Sequence, residues 1–230
     1  MAGERLRRIL AALSDGGEAW SSARLCGVCR EIVDVNGAGV MLMSGDLPRG
    51  SLCTTGEVSE LIEELQYTLG EGPCVDAYHQ DEVVSEPDLA DPVTVRWPAF
   101  TGPALRAGVR AIFGFPLRAG AVRLGTLDLY RDSPGPLTGG QHADALVMAD
   151  VLARWVLEAQ AGAPPDRVAG EIEAGADFHF AVHNAAGIVS VQESISVAEA
   201  LIRLRAFAFG SDRLLTDVAQ DIIARRLRLR

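Results

Sequence analysis

Four cysteines offer the widest range of chemistry in this sequence: Cys26, Cys29, Cys53 and Cys74. Cys26 and Cys29 form a C-x-x-C pair, a spacing that redox motifs and zinc sites share. No second C-x-x-C supplies the other two ligands of a structural zinc site, and the pair falls within an amphipathic helical pattern. We therefore predict that both are buried structural thiols, with a redox or metal role as the alternative. Such sparse cysteines do not indicate a disulfide framework, which suits a reducing compartment.

Cys74 is separate from that pair and follows the segment LGEGP, in which two glycines and a proline predict a turn. A thiol at the mouth of a pocket could sense an oxidant or hold a ligand. No basic residue adjoins Cys74 to lower the pKa of its thiol, so we favour a packing role. A thiol-dependent reductase is the alternative, and it depends on this residue alone.

Two histidines and a group of glutamates are the other candidates for chemistry. His179 and His183 are four residues apart, a spacing that can share a metal ion on one helical face, but no third ligand accompanies them. Glu60, Glu63 and Glu64 fall on the expected solvent face of a helix. The absence of lysine excludes a P-loop lysine and a Schiff base. Because the sequence also has no nucleophile elbow and no convincing acid–base pair, we expect no catalytic site, no metal site and no enzymatic activity.

The composition is that of an acidic globular protein. The 230 residues are 48% hydrophobic and 23% charged, and the net charge is −10. The longest apolar run, around residues 145–156, is interrupted by Asp150 and Arg154 and falls short of the roughly 18 residues of a membrane span. Residues 1–20 predict an amphipathic helix rather than a secretion signal. We expect a cytoplasmic protein with no membrane segment.

Residues 1–160 have the pattern of one α+β domain. Helical periodicity at both ends encloses about five or six strand patterns, which predicts an antiparallel sheet flanked by helices. The clearest strands are AGVMLM at 38–43, AIFGFPL at 111–117 and LGTLDLY at 124–130. A capping box opens the helix Thr138–Ala159, which is apolar on two sides. Since one core covers only one side, we predict that this helix pairs with its copy in a homodimer.

The last part of the chain is helical and less acidic. Residues 161–177 form a linker and the start of a connecting helix, and the capping box SVAE begins the next helix at Ser196. Three short amphipathic helices over residues 178–230 predict an all-α three-helix bundle. This segment has 7 arginines and 5 acidic residues, whereas residues 1–177 have 14 and 26. A polyanion is therefore expected to bind only the C-terminal segment.

Motifs in both parts resemble known bacterial domains. AAGIVSVQ, SVAEALIRLRAFAF and DRLLTDVAQDIIARRL resemble the ANTAR domain, the RNA-binding output module of transcription antitermination regulators. LGEGPCVDAYHQDEVVSEPDLAD, WPAFTGPALRAGVRAIFGFPL and RLGTLDLYRDSPGPLTGGQ resemble the GAF sensor domain that is fused to ANTAR in actinobacterial proteins. The resemblance covers about residues 20–160 and 175–230. It departs from the ANTAR pattern at Glu193-Ser194 and at Asp212.

The resemblance implies a function and two sets of site residues. ANTAR dimers grip paired RNA hairpins with unpaired loops and stabilise an antiterminator, and short helices with arginines suit such loops. The residues that correspond to the RNA face are Ala186, Gly187, Ala198, Arg203, Arg205 and Arg213. A GAF domain would bind a small molecule, here unidentified, and the candidate pocket residues are Met43, Cys74, Phe113, Phe115 and Leu127.

A different function is compatible with the same helices. The C-terminal bundle could mediate dimerisation or protein docking, while the GAF domain senses a ligand or a redox state. Substitution of Arg203 and Arg205 separates the two functions, since only contacts with phosphate predict a weaker, less salt-dependent binding of RNA in the variant.

Overall fold

The computed structural model of this chain describes residues 2–14, 21–44, 47–92, 96–162, 168–211 and 213–229. Its helices are α1 (Ala2–Ser14), α2 (Ser22–Val33), α3 (Glu57–Leu69), α4 (Pro73–Gln80), α5 (Pro98–Arg106), α6 (Gly139–Gly162), α7 (Val168–Glu193), α8 (Val197–Gly210) and α9 (Leu215–Ile223). Its strands are β1 (Gly37–Ser44), β2 (Leu47–Thr54), β3 (Val84–Glu86), β4 (Ala111–Ala119) and β5 (Val122–Arg131).

A single five-stranded sheet organises the first 162 residues, with the strand order β2-β1-β5-β4-β3. Every neighbouring pair of strands is antiparallel. β4 and β5 form a tight hairpin in which Gly120 adopts a left-handed φ of +60° at the turn. The predicted α+β architecture with an antiparallel sheet is therefore confirmed.

Buried apolar clusters lie on both faces of the sheet, because successive side chains of a strand point to opposite faces. On β1, Val40 and Leu42 belong to a cluster that α1, α2 and α6 complete. Met41 and Met43 point the other way, into a cluster with α3, α4 and the C-terminal helices. Helix α7 packs along β2, and α8 contacts α3. The C-terminal helices thus pack on the sheet domain and share one of its cores.

Helix α7 is continuous from Val168 to Glu193, although Gly170, Gly175 and Gly187 were possible breaks. Each glycine costs about 1 kcal/mol relative to alanine in a helix interior. Near Gly187, burial of Val182 and Val189 against α8 and α9 explains why the helix tolerates that cost. We use the name C-terminal module for residues 181–193 of α7 together with α8 and α9.

The predicted start of α8 is confirmed in atomic detail. The Ser196 hydroxyl accepts a hydrogen bond from the Glu199 amide at 3.1 Å, and the Ser196 amide donates to the Glu199 carboxylate at 2.9 Å. The last helix, α9, is short and ends at Ile223. The backbone of Arg225 adopts a left-handed conformation with a φ of +60°, which ends the helical hydrogen bonding.

Two local predictions are wrong. The turn at LGEGPC is only three residues long, because Pro73 starts α4; a proline is well tolerated in the first turn of a helix, where its missing N–H needs no partner. The second error concerns Cys26, which forms a disulfide with Cys53 and is not a free thiol. The partner lies 27 residues away on β2, with a Cα–Cα distance of 6.0 Å, so the C-x-x-C spacing gave no sign of it. Cys29 is free and buried, as predicted.

Among the described residues, no single helix is long and apolar enough to cross a membrane. Residues 181–193 and 197–210 reach the required length and composition only as a pair, and that pair is bent by 108°.

Candidate functional site

The five predicted pocket residues lie on opposite faces of the sheet. Phe113, Phe115 and Leu127 are fully buried in the core that α6 covers, and the Phe115 ring contacts His142 at a centroid distance of 5.5 Å. Met43 and Cys74 lie on the other face. The prediction of one pocket lined by all five residues is therefore wrong. Alternation along a strand separates its two faces but does not tell which face a helix fills.

A buried polar cluster occupies the face on which Cys74 lies. Gln66 of α3 joins two other elements: its side-chain oxygen accepts from the Cys74 amide at 2.7 Å, and its side-chain nitrogen donates to Asp128 of β5 at 3.1 Å. The Cys74 thiol contacts the Thr126 hydroxyl at 2.8 Å. Glu63, one turn before Gln66 on α3, completes the cluster and is 2% exposed. We call Glu63, Gln66, Cys74, Thr126 and Asp128 the polar cluster.

The two carboxyl groups of the polar cluster hold a proton near neutral pH. Burial raises the pKa of Asp128 to about 7 and raises the pKa of Glu63 well above its usual range, with the neighbouring charge of Asp128 adding to the Glu63 shift. The negative charge of Asp128 also opposes ionisation of Glu63, so the two carboxyls do not both ionise readily. Neither Glu63 oxygen has a hydrogen-bond partner among the described residues.

Glu63 was expected on a solvated helix face, and that expectation is wrong. Its face of α3 packs against β1, where Gly39 lacks the methyl group that would overlap the Glu63 carboxyl. Glu60 is exposed as expected, whereas Glu64 is half-buried and burial raises its pKa to about 7. The alternation of Thr126 and Asp128 with Leu127 on β5 was the available signal that polar groups face this side.

Cys74 is a protonated thiol in this environment. Burial raises its pKa well above the usual value, and the charges of Asp128 and Glu63 raise it further. The thiolate is the nucleophilic form of cysteine, so a neighbouring acidic pair works against nucleophilic chemistry. Within the described residues, no group of three or more metal-ligating side chains is found; the side chain of His179 lies outside them.

The RNA-face candidates lie in three different environments within the C-terminal module. Ala198 is exposed in the first turn of α8, and Gly187 is half-buried on α7. Ala186 is fully buried among the three helices of the module. The expectation that Ala186 belongs to an outward surface is therefore wrong, because its methyl group fills the core between the helices.

The three candidate arginines all contact other residues of the chain. Arg203 is exposed, with its guanidinium 3.8 Å from the Glu193 carboxylate. Arg213 forms an ion pair with Asp221 on α9 at 2.5 Å. Arg205 is half-buried and reaches the sheet domain: its guanidinium carbon lies 5.7 Å from the centre of the Tyr67 ring. Only Arg203 thus presents a largely exposed guanidinium in this conformation.

Comparison with known proteins agrees with this architecture of an antiparallel sheet flanked by helices. A family model described as GAF domain matches residues 23–151, more than half of the chain. The chain therefore belongs to the GAF domain family, a family of sensory domains. Among curated protein sequences, none matches this chain.

Solved structures support the same fold. The GAF domain from a phosphoenolpyruvate-protein phosphotransferase of Coxiella burnetii superposes with a TM-score of 0.52 at 16% identity, over 70% of this chain and 95% of that one. The GAF domain from the corresponding Acinetobacter protein gives a TM-score of 0.52 at 15% identity, over 70% and 96%. At these identities the likeness concerns the fold alone.

Proposed function

We propose that this protein is a signal-responsive regulator in which the GAF domain controls an RNA-binding C-terminal module of the ANTAR type, and that it acts by transcription antitermination. The observation that carries the proposal is the core that the two parts share: Met41, Met43 and Tyr67 of the GAF domain pack in one cluster with apolar residues of α7, α8 and α9. A change of packing on this face of the sheet would therefore reach the C-terminal module directly.

The sequence pattern supports RNA as the target of the module. AAGIVSVQ, SVAEALIRLRAFAF and DRLLTDVAQDIIARRL resemble the ANTAR domain and lie on helices that pack together. Arg203 is only weakly paired, since an exposed ion pair at 3.8 Å contributes little and a phosphate can replace its carboxylate. Arg225 and Arg228 are exposed near the C-terminal end of the module and add positive charge to its surface.

An enzymatic role has less support than a sensory one. The thiol of Cys74 is buried and protonated beside two carboxyl groups, which is unsuitable for a nucleophile. The same polar cluster is suitable for sensing, because a ligand or a change of protonation there alters contacts among α3, α4 and β5. We propose that occupancy or protonation of the polar cluster is the signal.

Homodimerisation through α6 is a further part of the proposal. A groove of about 350 Å³ lies between α1 and α6, with an apolar lining that includes Leu6, Leu10, Val147, Val151 and Trp155. Leu146 is 43% exposed on the same helix. A second copy of the chain would cover this apolar surface.

A protein-docking role of the C-terminal module is the second candidate function. It is favoured by large apolar side chains that α8 exposes at i and i+7: Ile202 is 62% exposed and Phe209 is 63% exposed. Such residues are more typical of a protein contact than of a surface that only binds phosphate.

Binding of a double-hairpin RNA to the full-length protein tests the proposed function. We expect Arg203→Ala to weaken RNA binding roughly tenfold, because a phosphate contact is lost. The number of ions released on binding, measured from the salt dependence of the affinity, should fall by about one. The matched control is Arg118→Ala in the GAF domain, which removes an exposed arginine that pairs with Asp81 at 3.2 Å. Equal weakening by the two variants would refute RNA recognition by Arg203. Ile202→Ser with Phe209→Ser would then test for a lost protein contact.

A further inference from the structure

Arg205 is an RNA-face candidate whose guanidinium contacts the GAF domain. It extends from α8 to the C-terminal end of α3, where its guanidinium lies over the Tyr67 ring. Beside the ring, Gly70 ends α3 in the left-handed conformation at a φ of +66°. A methyl group at Gly70 would lie 2.9 Å from the Arg205 Nη1 atom, so the absence of a side chain makes room for the guanidinium. We call Tyr67 and Gly70 the Arg205 seat.

Burial of the Arg205 guanidinium in the seat is energetically unfavourable. Nε and Nη2 of Arg205 are buried and have no hydrogen-bond acceptor among the described residues. Desolvation of a charged group is costly, and a single cation–π contact offsets only part of that cost. The contact of α8 with α3 is therefore stabilised by the apolar packing of the shared core and opposed by the buried guanidinium.

These opposing contributions suit a reversible contact. If the docked arrangement were held by apolar packing alone, an input from the sensor would have to overcome all of that packing free energy. A desolvated cation that regains its hydration on release brings the two arrangements closer in free energy, so that a modest input shifts the balance.

We propose that the docking of α8 on α3 is an autoinhibitory contact: the seat withholds Arg205 from RNA, and RNA binding requires α8 to leave α3. This inference rests on the proposed function, since it concerns the regulation of the same RNA surface. Helix α3 connects the contact to the sensor, because Glu63 and Gln66 of the polar cluster precede Tyr67 by four residues and one residue. A change in the polar cluster that moves α3 therefore moves the seat.

The test is Gly70→Ala in the full-length protein, with Gly120→Ala as the matched control. Both glycines are left-handed, at φ values of +66° and +60°, but a methyl group at Gly120 meets no atom within 4 Å. The two variants therefore share the backbone strain and differ in the overlap with Arg205. Amide hydrogen exchange of α8 and affinity for a double-hairpin RNA are the two measurements.

We expect Gly70→Ala to speed exchange in α8 and to tighten RNA binding by about threefold to tenfold, while Gly120→Ala changes neither. Arg205→Leu should slow exchange in α8, because an apolar side chain fills the seat without a desolvation cost. Unchanged α8 exchange in both Gly70→Ala and Arg205→Leu would overturn the docking contact. Faster exchange without tighter RNA binding would overturn autoinhibition alone. If no variant binds RNA although α8 exchange responds, the proposed function fails and autoinhibition fails with it.

Discussion

At the scale of single residues, the buried pair of Glu63 and Asp128 is the feature most sensitive to its surroundings. Two carboxyl groups out of contact with water cannot both ionise cheaply, so the pair keeps a proton that each group would lose in an unfolded chain. Folding therefore takes up protons between the unfolded pKa, about 4, and the folded pKa of Asp128, about 7.

This proton uptake predicts a pH-dependent stability. The folded state binds more protons, so the stabilisation is complete below about pH 4 and is lost as the pH rises through about 7. Asp128→Asn imitates the protonated form and should reduce the difference in unfolding free energy between about pH 5 and about pH 8 by on the order of 2 kcal/mol. Urea unfolding of both proteins at the two pH values measures this effect.

The control for this prediction is Asp88→Asn. Asp88 is half-exposed, and its hydrogen bond with Arg110 lowers its pKa, so its small contribution has the opposite sign. A pH dependence that Asp128→Asn leaves intact would show that Asp128 does not hold the proton in the folded protein.

Sequence patterns predicted some of these residues and missed others for identifiable reasons. The strand pattern at 124–130 was predicted, and strand geometry alone then places Thr126 and Asp128 on the opposite face from Leu127. Glu63 was missed because a glutamate on an amphipathic helix is usually exposed, and its burial depends on Gly39, 24 residues earlier in the chain. Cys26 was assigned as a thiol because its disulfide partner lies on a strand that packs against it only in the folded chain.

At the scale of elements, α6 carries an apolar surface that faces away from the sheet. Its inner side packs on the sheet, while Val147, Val151 and Trp155 line the groove shared with α1. In an antiparallel pairing about a two-fold axis near Leu152, Asp150 would face the partner's Arg154. Opposite charges at these positions favour that arrangement, because a parallel pairing would bring Asp150 close to the partner's Asp150.

A charge on this surface should therefore prevent dimerisation. We expect Leu146→Glu to convert a dimer into a monomer, as measured by sedimentation equilibrium at micromolar concentration. Leu61→Glu on α3 is the matched control, because Leu146 and Leu61 are 43% and 40% exposed. Dimerisation that survives Leu146→Glu, or a wild-type protein that is monomeric, would place any dimer contact elsewhere or exclude it.

Element boundaries could be predicted where a local interaction determines them. The α8 start follows from the Ser196 and Glu199 side chains alone, and that prediction is confirmed. Helix α4 was missed because the glycines before Pro73 dominated the interpretation of that segment. The contact of α8 with α3 could not be predicted, because the helical pattern of α8 shows which side is apolar but not which partner covers it.

At the scale of the whole molecule, a shared core joins the GAF domain to the C-terminal module. Residues 1–160 and 178–230 were expected as separate domains, yet Met41, Met43 and Tyr67 pack with the C-terminal helices. If the module binds RNA as proposed, RNA binding to a released α8 and docking of α8 on α3 compete, and linkage requires that each weaken the other. The sensor signal would act on the same equilibrium.

Hydrogen exchange of the intact protein with and without saturating double-hairpin RNA tests this coupling most directly. We predict that RNA slows amide exchange in α8. RNA should also speed exchange in the last turn of α3, at Gln66–Gly70, because Arg205 no longer covers those residues. RNA that binds and protects α8 while α3 exchange stays unchanged would contradict the coupling of the sensor to its output.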